Sequence, residues 1–232
     1  MKLIAIGGLK NAGKDTMANM LQYCLSTPCL MHNYTWYRLF GKFYWKKYSI
    51  TSFAYYLKTS LGEIIGVNSD KFNDRDFKEN YYIYFPTMEI TNSPPKNKII
   101  GDKKFSRYLQ SENFDFINNC YISIRQLLQL YGTNVIRRQF GDKLWILRTL
   151  NRTDNIIISD MRFKAEFEEV INKKGITIYI DRKGKPGNHA SEREIVDLNN
   201  ENKFHYRIDN TGTLKDLFYQ TSKLVKLWQK QQ

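Results

Sequence analysis

The sequence predicts an α/β chain in three layers, a parallel sheet wrapped by helices. Three observations predict it. Short apolar runs at residues 3–6, 156–158 and 176–180 read as buried parallel strands. Stretches with apolar residues at helical spacing alternate with them, which is the pattern of a parallel sheet. Between the first strand and the first helical stretch stands Gly8-x-x-x-x-Gly13-Lys14, in the setting where a phosphate-binding loop belongs.

That loop is the first element to justify. Gly8 and Gly13 let the backbone turn and approach an oxyanion with no Cβ in the way. The amides of Lys10, Asn11, Ala12 and Gly13 and the start of the following helix direct positive charge at phosphates. Lys14 is a mobile point charge for the outer phosphates. The usual motif continues with Ser or Thr, whose hydroxyl ligates magnesium; here Asp15 and then Thr16 follow. Asp15 suits the waters of a magnesium ion, since that ion takes carboxylates and keeps several waters. Thr16 remains for the ion or a phosphate. The plain alternative is an ordinary glycine turn, which the lysine and the flanking elements argue against.

Composition sets the class. With 232 residues, 42% hydrophobic and 15% aromatic, the chain can bury a sizeable core and is not disordered. No apolar run reaches membrane-spanning length, and the N-terminal run is too short for a signal peptide. Cys24, Cys29 and Cys120 form no Cys-x-x-Cys pair, and their odd number argues against a disulfide framework, so a reducing, cytoplasmic setting is expected. A net charge of +13 suits a polyanionic partner, either nucleotides or nucleic acid, and charge alone does not choose.

Along the chain, the first helix is expected over residues 13–25. Residues 35–48 crowd Trp36, Tyr37, Phe40, Phe43, Tyr44 and Trp45 among lysines. This resembles a platform for single-stranded nucleic acid, but an amphipathic helix with its aromatics packed inward is preferred. A strand at 49–54 and a helix at 55–65 stopped by Gly66 follow. Residues 67–119, rich in Asn, Lys and Pro, lack periodicity and read as an insertion with long loops. Ile124, Leu127, Leu128 and Tyr131 restore helical spacing, with Gly132 as a stop. A second helical segment carries Val135, Ile136, Phe140 and Trp145. The strand at 155–160 precedes a helix at 163–174, where Gly175 suits the C-terminus. Residues 206–209 form a last strand, and Thr213 is a plausible N-cap of the final helix.

In such a sheet ligands sit at the carboxyl ends of the strands. Three candidates lie there: the glycine loop, Asp160-Met-Arg162, and Asn210-Thr-Gly-Thr213. Asp160 ends an apolar strand, where a phosphate-loop enzyme keeps its metal-holding acid; the competing role is capping the helix at Phe163. Arg162 and the basic segment with Arg182, Lys183, Lys185 and Arg193 are candidates to neutralise a transferring phosphoryl group. A solvated basic face is the alternative for that cluster. The glycines and proline of residues 182–193 suit a lid. His32, His189 and His205 form no recognisable catalytic or metal set.

At these residues the chain resembles bacteriophage-type and viral deoxynucleoside monophosphate kinases. The segments that carry the likeness run in order from Gly8 to Thr16, through Phe53–Lys58, Phe77–Glu79 and Ile124–Thr133 with Arg137 and Trp145, to Ile158–Phe163, His189–Glu192 and Asn210–Leu214. Ile124 stands where the family often has proline before its arginine. Parts of residues 27–48 and 80–119 match nothing in it.

The resemblance implies a phosphate-loop kinase fold with a monophosphate-binding insertion at residues 67–122 and a lid. It implies transfer of the ATP γ-phosphate to a deoxynucleoside 5′-monophosphate, with ATP and Mg²⁺ as cofactors. Lys14, Asp160 and Arg162 would be catalytic. Asp15, Thr16 and Asp160 would serve the metal. Lys58, Arg125, Gln129, Gly132, Thr133, Arg137 and Trp145 would serve the acceptor, and Asn210 to Thr213 would lie near the adenine. Adjacent residues point apart on a helix, so Arg137 is chosen over Arg138. The acceptor phosphate is already ionised, so no general base is needed. Two other readings stay open at this stage: a kinase of another small metabolite, and a nucleic-acid-binding protein with an accessory nucleotide site. A homodimer is compatible with the sequence, and no membrane partner is expected.

Overall fold

The computed structural model describes residues 2–44, 46–85, 87–110, 119–141, 143–182 and 190–230. Two units divide the chain: Met1–Phe53 with Ile146–Gln232, and Ala54–Trp145.

The first unit begins with β1 (Leu3–Gly7), α1 (Lys14–Ser26), α2 (Tyr34–Phe40) and β2 (Ser49–Thr51). Gly13 caps α1 with a left-handed φ of 97°, and Met17, Met20, Leu21 and Cys24 turn to the core at helical spacing. The side chain of Asn33 caps α2 by accepting the Thr35 amide at 2.8 Å.

The second unit follows with α3 (Tyr55–Ile65), α4 (Arg75–Asn80), β3 (Tyr82–Phe85), β4 (Glu89–Thr91), α5 (Asp102–Gln110), β5 (Cys120–Ser123) and α6 (Ile124–Gln129). A π-helical stretch, Leu130–Arg137, continues α6 into α7 (Arg138–Phe140). The chain then runs through α8 (Leu144–Leu150), β6 (Ile156–Met161), α9 (Lys164–Asn172), β7 (Ile176–Asp181), α10 (Ala190–Asn200), β8 (Tyr206–Asp209) and α11 (Leu214–Lys230).

In the first unit five parallel strands stand in the order β2-β6-β1-β7-β8. Alternation along the strands divides the core between two faces. Ile4, Ile6, Ile157, Ile178 and Ile180 pack with Met17, Leu21, Phe218 and Val225 of α1 and α11. Leu3, Ala5, Ile156, Ile158 and Tyr179 pack with Ile146, Phe167, Val170 and Ile195 of α8, α9 and α10. Helices therefore cover both faces, as the sequence predicts for a three-layer α/β chain. No helix among the described residues is long and apolar enough to cross a membrane.

In the second unit a three-stranded antiparallel sheet, β4-β3-β5, buries Ile83 and Ile122 against Leu61, Phe72, Ile124 and Leu127. This corrects the expectation of long loops over residues 67–119. The strands are three or four residues long, too short for alternation to register against their tyrosines.

Four further expectations are corrected. Gly132 does not stop a helix: it is buried inside the π-helical stretch, where a Cβ would strike the Leu57 side chain of α3. Only part of the aromatic stretch packs inward. Tyr34, Tyr37 and Tyr44 join the core, while Trp36, Phe40 and Phe43 are exposed, and Trp45 lies outside the described residues. Arg193 is helical, on α10, and not in a loop. The lid reading otherwise falls on residues 183–189, Lys183 and Lys185 among them, which lie outside the described residues. Finally, Gly175 is not the left-handed residue that ends α9; Lys174 takes that conformation, with φ 56°.

Gly175 is required for packing instead. A Cβ there would lie 2.8 Å from both Leu3 Cγ and Val170 Cγ1, branched atoms of the core. Gly175→Ala is therefore expected to destabilise the fold by about 1–3 kcal/mol, the usual cost of overpacking. A urea titration checks it: the midpoint should fall while the slope stays constant.

Candidate active site

The loop between β1 and α1 is shaped by close contacts. Gly8 has φ 148°, and a Cβ on it would come 2.5 Å from the Ile180 carbonyl oxygen. Gly13 leaves the same clearance for Asn210 Nδ2. Only glycine fits either place. The Ala12 amide donates to the Leu9 carbonyl at 3.2 Å, and Asn11 adopts φ 62°.

Lys14 is buried, and its ammonium donates to the carbonyls of Gly8 at 2.9 Å and Leu9 at 2.7 Å. A full positive charge is thus held within the loop whose backbone amides head α1. The N-terminus of the helix adds its partial positive charge, so the loop is a site for anions.

The neighbouring strand ends brace this loop. Asn210, buried just past β8, donates from Nδ2 to the Ala12 carbonyl at 2.8 Å, and its own amide donates to Asp181 O at 2.7 Å. Arg182, at the end of β7, reaches the Asn11 carbonyl at 3.4 Å. Ser159 on β6 donates its hydroxyl to Asp15 Oδ1 at 2.7 Å. Of the predicted carboxyl-end positions Asn210 touches the loop, and Arg182 and Ser159 join it there. Thr213 does cap α11: its hydroxyl accepts the Asp216 amide at 3.2 Å and donates to Asp216 Oδ2 at 2.7 Å. Lys10 and Asn11 are exposed on the loop, and Thr16 is half-buried in the first turn of α1.

Asp160 accepts the Phe53 amide on Oδ1 at 2.7 Å, which fixes its carboxylate at the end of β6. Glu166 caps the next helix from inside the first turn of α9, accepting the amides of Arg162 at 2.7 Å and Phe163 at 3.0 Å. Arg162 is exposed. Ser159 and Asp160 are neighbours on one strand, so their side chains leave opposite faces of the sheet. Ser159 and Glu166 were missed by sequence reasoning. The parity of Ser159 with Ile157, which packs towards α1, was the available signal.

The residues expected to serve the acceptor stand on the second unit. Arg125 pairs with Glu79, and its buried Nε has no hydrogen-bond partner among the described residues. Lys58 on α3 donates to Asn73 Oδ1 at 2.8 Å. Gln129 ends α6 exposed; Gly132, Thr133 and Arg137 all lie in the π-helical stretch. That stretch packs on α3 through Gly132 against Leu57, and Tyr131 donates to Ser60 Oγ at 3.2 Å. Six of the seven predicted acceptor residues thus belong to two elements packed together, α3 and the continuous helix from α6. Trp145 lies on α8, with Nε1 buried and unpartnered among the described residues. Arg137 is half-buried where Arg138 is exposed. π-helical turns, with their wider backbone, recur at functional sites.

The family model for deoxynucleotide monophosphate kinase matches residues 2–221. The chain belongs to the deoxynucleotide monophosphate kinase family. It is thus a phosphotransferase that phosphorylates deoxynucleoside monophosphates with ATP as donor, and the resemblance seen in the sequence holds over both units. The reading as a kinase of another metabolite gives way to this match. No curated protein matches the chain.

Because Asn210 holds the loop by a buried hydrogen bond, Asn210→Ala leaves the Ala12 carbonyl without its partner, at a cost of about 1–3 kcal/mol. The expected outcome is a KM for ATP raised roughly 5- to 100-fold with the acceptor KM unchanged, measured by steady-state kinetics in each substrate.

Proposed function

We propose that the loop from Gly8 to Lys14 binds the phosphates of ATP, with Lys14 and Arg162 as the cations that meet the charge of the transferring phosphoryl group. The observation that carries this reading is the buried Lys14 ammonium, held on the carbonyls of Gly8 and Leu9 at the head of α1. The phosphoryl acceptor is an oxygen of the monophosphate that is already ionised. The chain's contribution is then positioning and charge neutralisation, with no side chain needed to take a proton.

The donor set fits magnesium. Asp15, Thr16 and Asp160 offer only oxygen, the donor a hard cation prefers. Among the described residues no group of three or more His, Cys, Asp or Glu side chains converges on one point. Magnesium is usually held by one or two carboxylates, waters and the nucleotide phosphates themselves. Ser159 orients Asp15 through Oδ1, and the Phe53 amide orients Asp160. When bound, the ion neutralises phosphate charge.

The acceptor is assigned to the second unit, which contains the region 67–122 read as an insertion. Arg125, kept in place by Glu79, is the strongest candidate for the acceptor phosphate, with Lys58, Gln129, Thr133 and Arg137 beside it in the assignment. Asn210 supports the donor loop from behind, which refines its expected place near the adenine.

Replacing Lys14 by Ala should lower kcat by about 10³-fold, the usual loss when one group that stabilises transition-state charge is removed. Near-normal turnover in a folded Lys14→Ala protein would refute the assignment. Asp15→Asn and Asp160→Asn should each raise the magnesium concentration giving half-maximal rate. If the magnesium titration is unchanged in both variants, neither carboxylate serves the ion.

A further inference from the structure

We infer that α2 and the segment after it form a docking face for single-stranded DNA, separate from the phosphate loop. The two faces of α2 differ in kind. Tyr34 and Tyr37 pack on Phe218 of α11, with ring centroids 5.8 and 5.1 Å away, and this contact fixes which side of the helix points outward. On the outward side Trp36, Leu39, Phe40 and Phe43 are 50%, 63%, 45% and 82% exposed. Trp36 and Phe40 lie one turn apart with ring centroids at 5.1 Å, a ready-made aromatic surface. Contiguous exposed aromatics of this kind mark an interaction site rather than ordinary surface.

The charge around these rings has one sign. Residues 16–62 contain no Asp or Glu, and within this run Arg38, Lys42, Lys46 and Lys47 flank or follow the exposed rings. All four are exposed. The partner must therefore be an anion that also offers flat apolar surface. Unpaired bases on a phosphodiester backbone offer both, because every base has a π-face and every nucleotide a charge. A duplex hides its bases in the stack.

Two other occupants fit less well. In a symmetric pair of chains the same patch would meet itself, setting Arg38, Lys42, Lys46 and Lys47 against their own copies. A helix lying in a bilayer keeps its cations on the side away from the apolar face. On α2 that side is taken up by Tyr34 and Tyr37 in the core, so rings and cations share the outward half. Of the two nucleic acids DNA is the choice, since the family's reaction concerns deoxynucleotides.

The experiment is fluorescence anisotropy of a labelled oligodeoxythymidylate with the full chain, over a range of salt. Four cations at the face give an expected slope of log affinity against log salt near about −3. Phe43→Ala and Trp36→Ala should each weaken binding about tenfold, as loss of a stacking ring does. Phosphotransfer should be unchanged in both. Phe43 lies beyond the helix, so its removal leaves α2 intact. The inference is overturned if the double variant binds as the unaltered chain does, or if ATP displaces the oligonucleotide. Equal or tighter binding to duplex or RNA also overturns it. So does capture by phosphatidylserine vesicles, or dimerisation, that the same two variants abolish.

Discussion

A buried ammonium governs the loop between β1 and α1. Lys14 is withdrawn from water, and a cation so placed is tolerated only where oxygen atoms replace its hydration. Gly8 O and Leu9 O supply them, which requires the chain to curl back over its own lysine within six residues. That curl brings Gly8 against the Ile180 carbonyl and Gly13 against the Asn210 amide, at distances that exclude a Cβ. The glycines of the motif are thus fixed by β7 and by the turn after β8 as much as by any phosphate. The sheet order follows from the same demand. β1 is flanked by β6 and β7, so the loop that leaves it lies next to the two strand ends that carry Ser159 and Arg182.

Much of the first unit was legible because each of its signals is local and strong. Residues 3–6 and 156–158 are apolar on every position, and 176–180 on all but Thr177, as suits strands buried on both faces. Gly66 ends α3 in the left-handed conformation that the sequence called for, with φ 69°. Thr213 caps α11 as expected, and its partner there is Asp216. Where reading failed, a glycine had two explanations and the sequence offered only one. Gly132 and Gly175 both follow a helical run and both look like stops. Each is in fact a place where another side chain, Leu57 or Leu3, comes too close for a Cβ.

The second unit was less legible for a different reason. In β3 and β5 tyrosines alternate with the buried Ile83 and Ile122, so both faces look apolar over only four positions. Its helix from Ile124 to Phe140 holds normal helical spacing at both ends and a π-helical register between them. No single residue in Leu130–Arg137 announces that change. It depends on how α3 packs, which a one-dimensional pattern does not contain. Gly132, Thr133 and Arg137 sit in that stretch, so their choice by family likeness ran ahead of any physical reason for it.

The departure at Asp15 has a structural counterpart. In the usual loop a hydroxyl follows the lysine. Here a carboxylate does, and a hydroxyl instead comes from the neighbouring strand, Ser159, bonded to that carboxylate at 2.7 Å. The pair keeps one hydroxyl and adds one negative charge at the start of α1, where the helix dipole favours it. Such a charge would repel phosphates unless a cation lay between them. The substitution is therefore compatible with anion binding only if the loop's positive charge and a divalent ion act together. Asp160, one residue along β6 and on the opposite face, is held by the Phe53 amide. Two carboxylates reach the same strand end from different sides of the sheet, and each is oriented by its own donor.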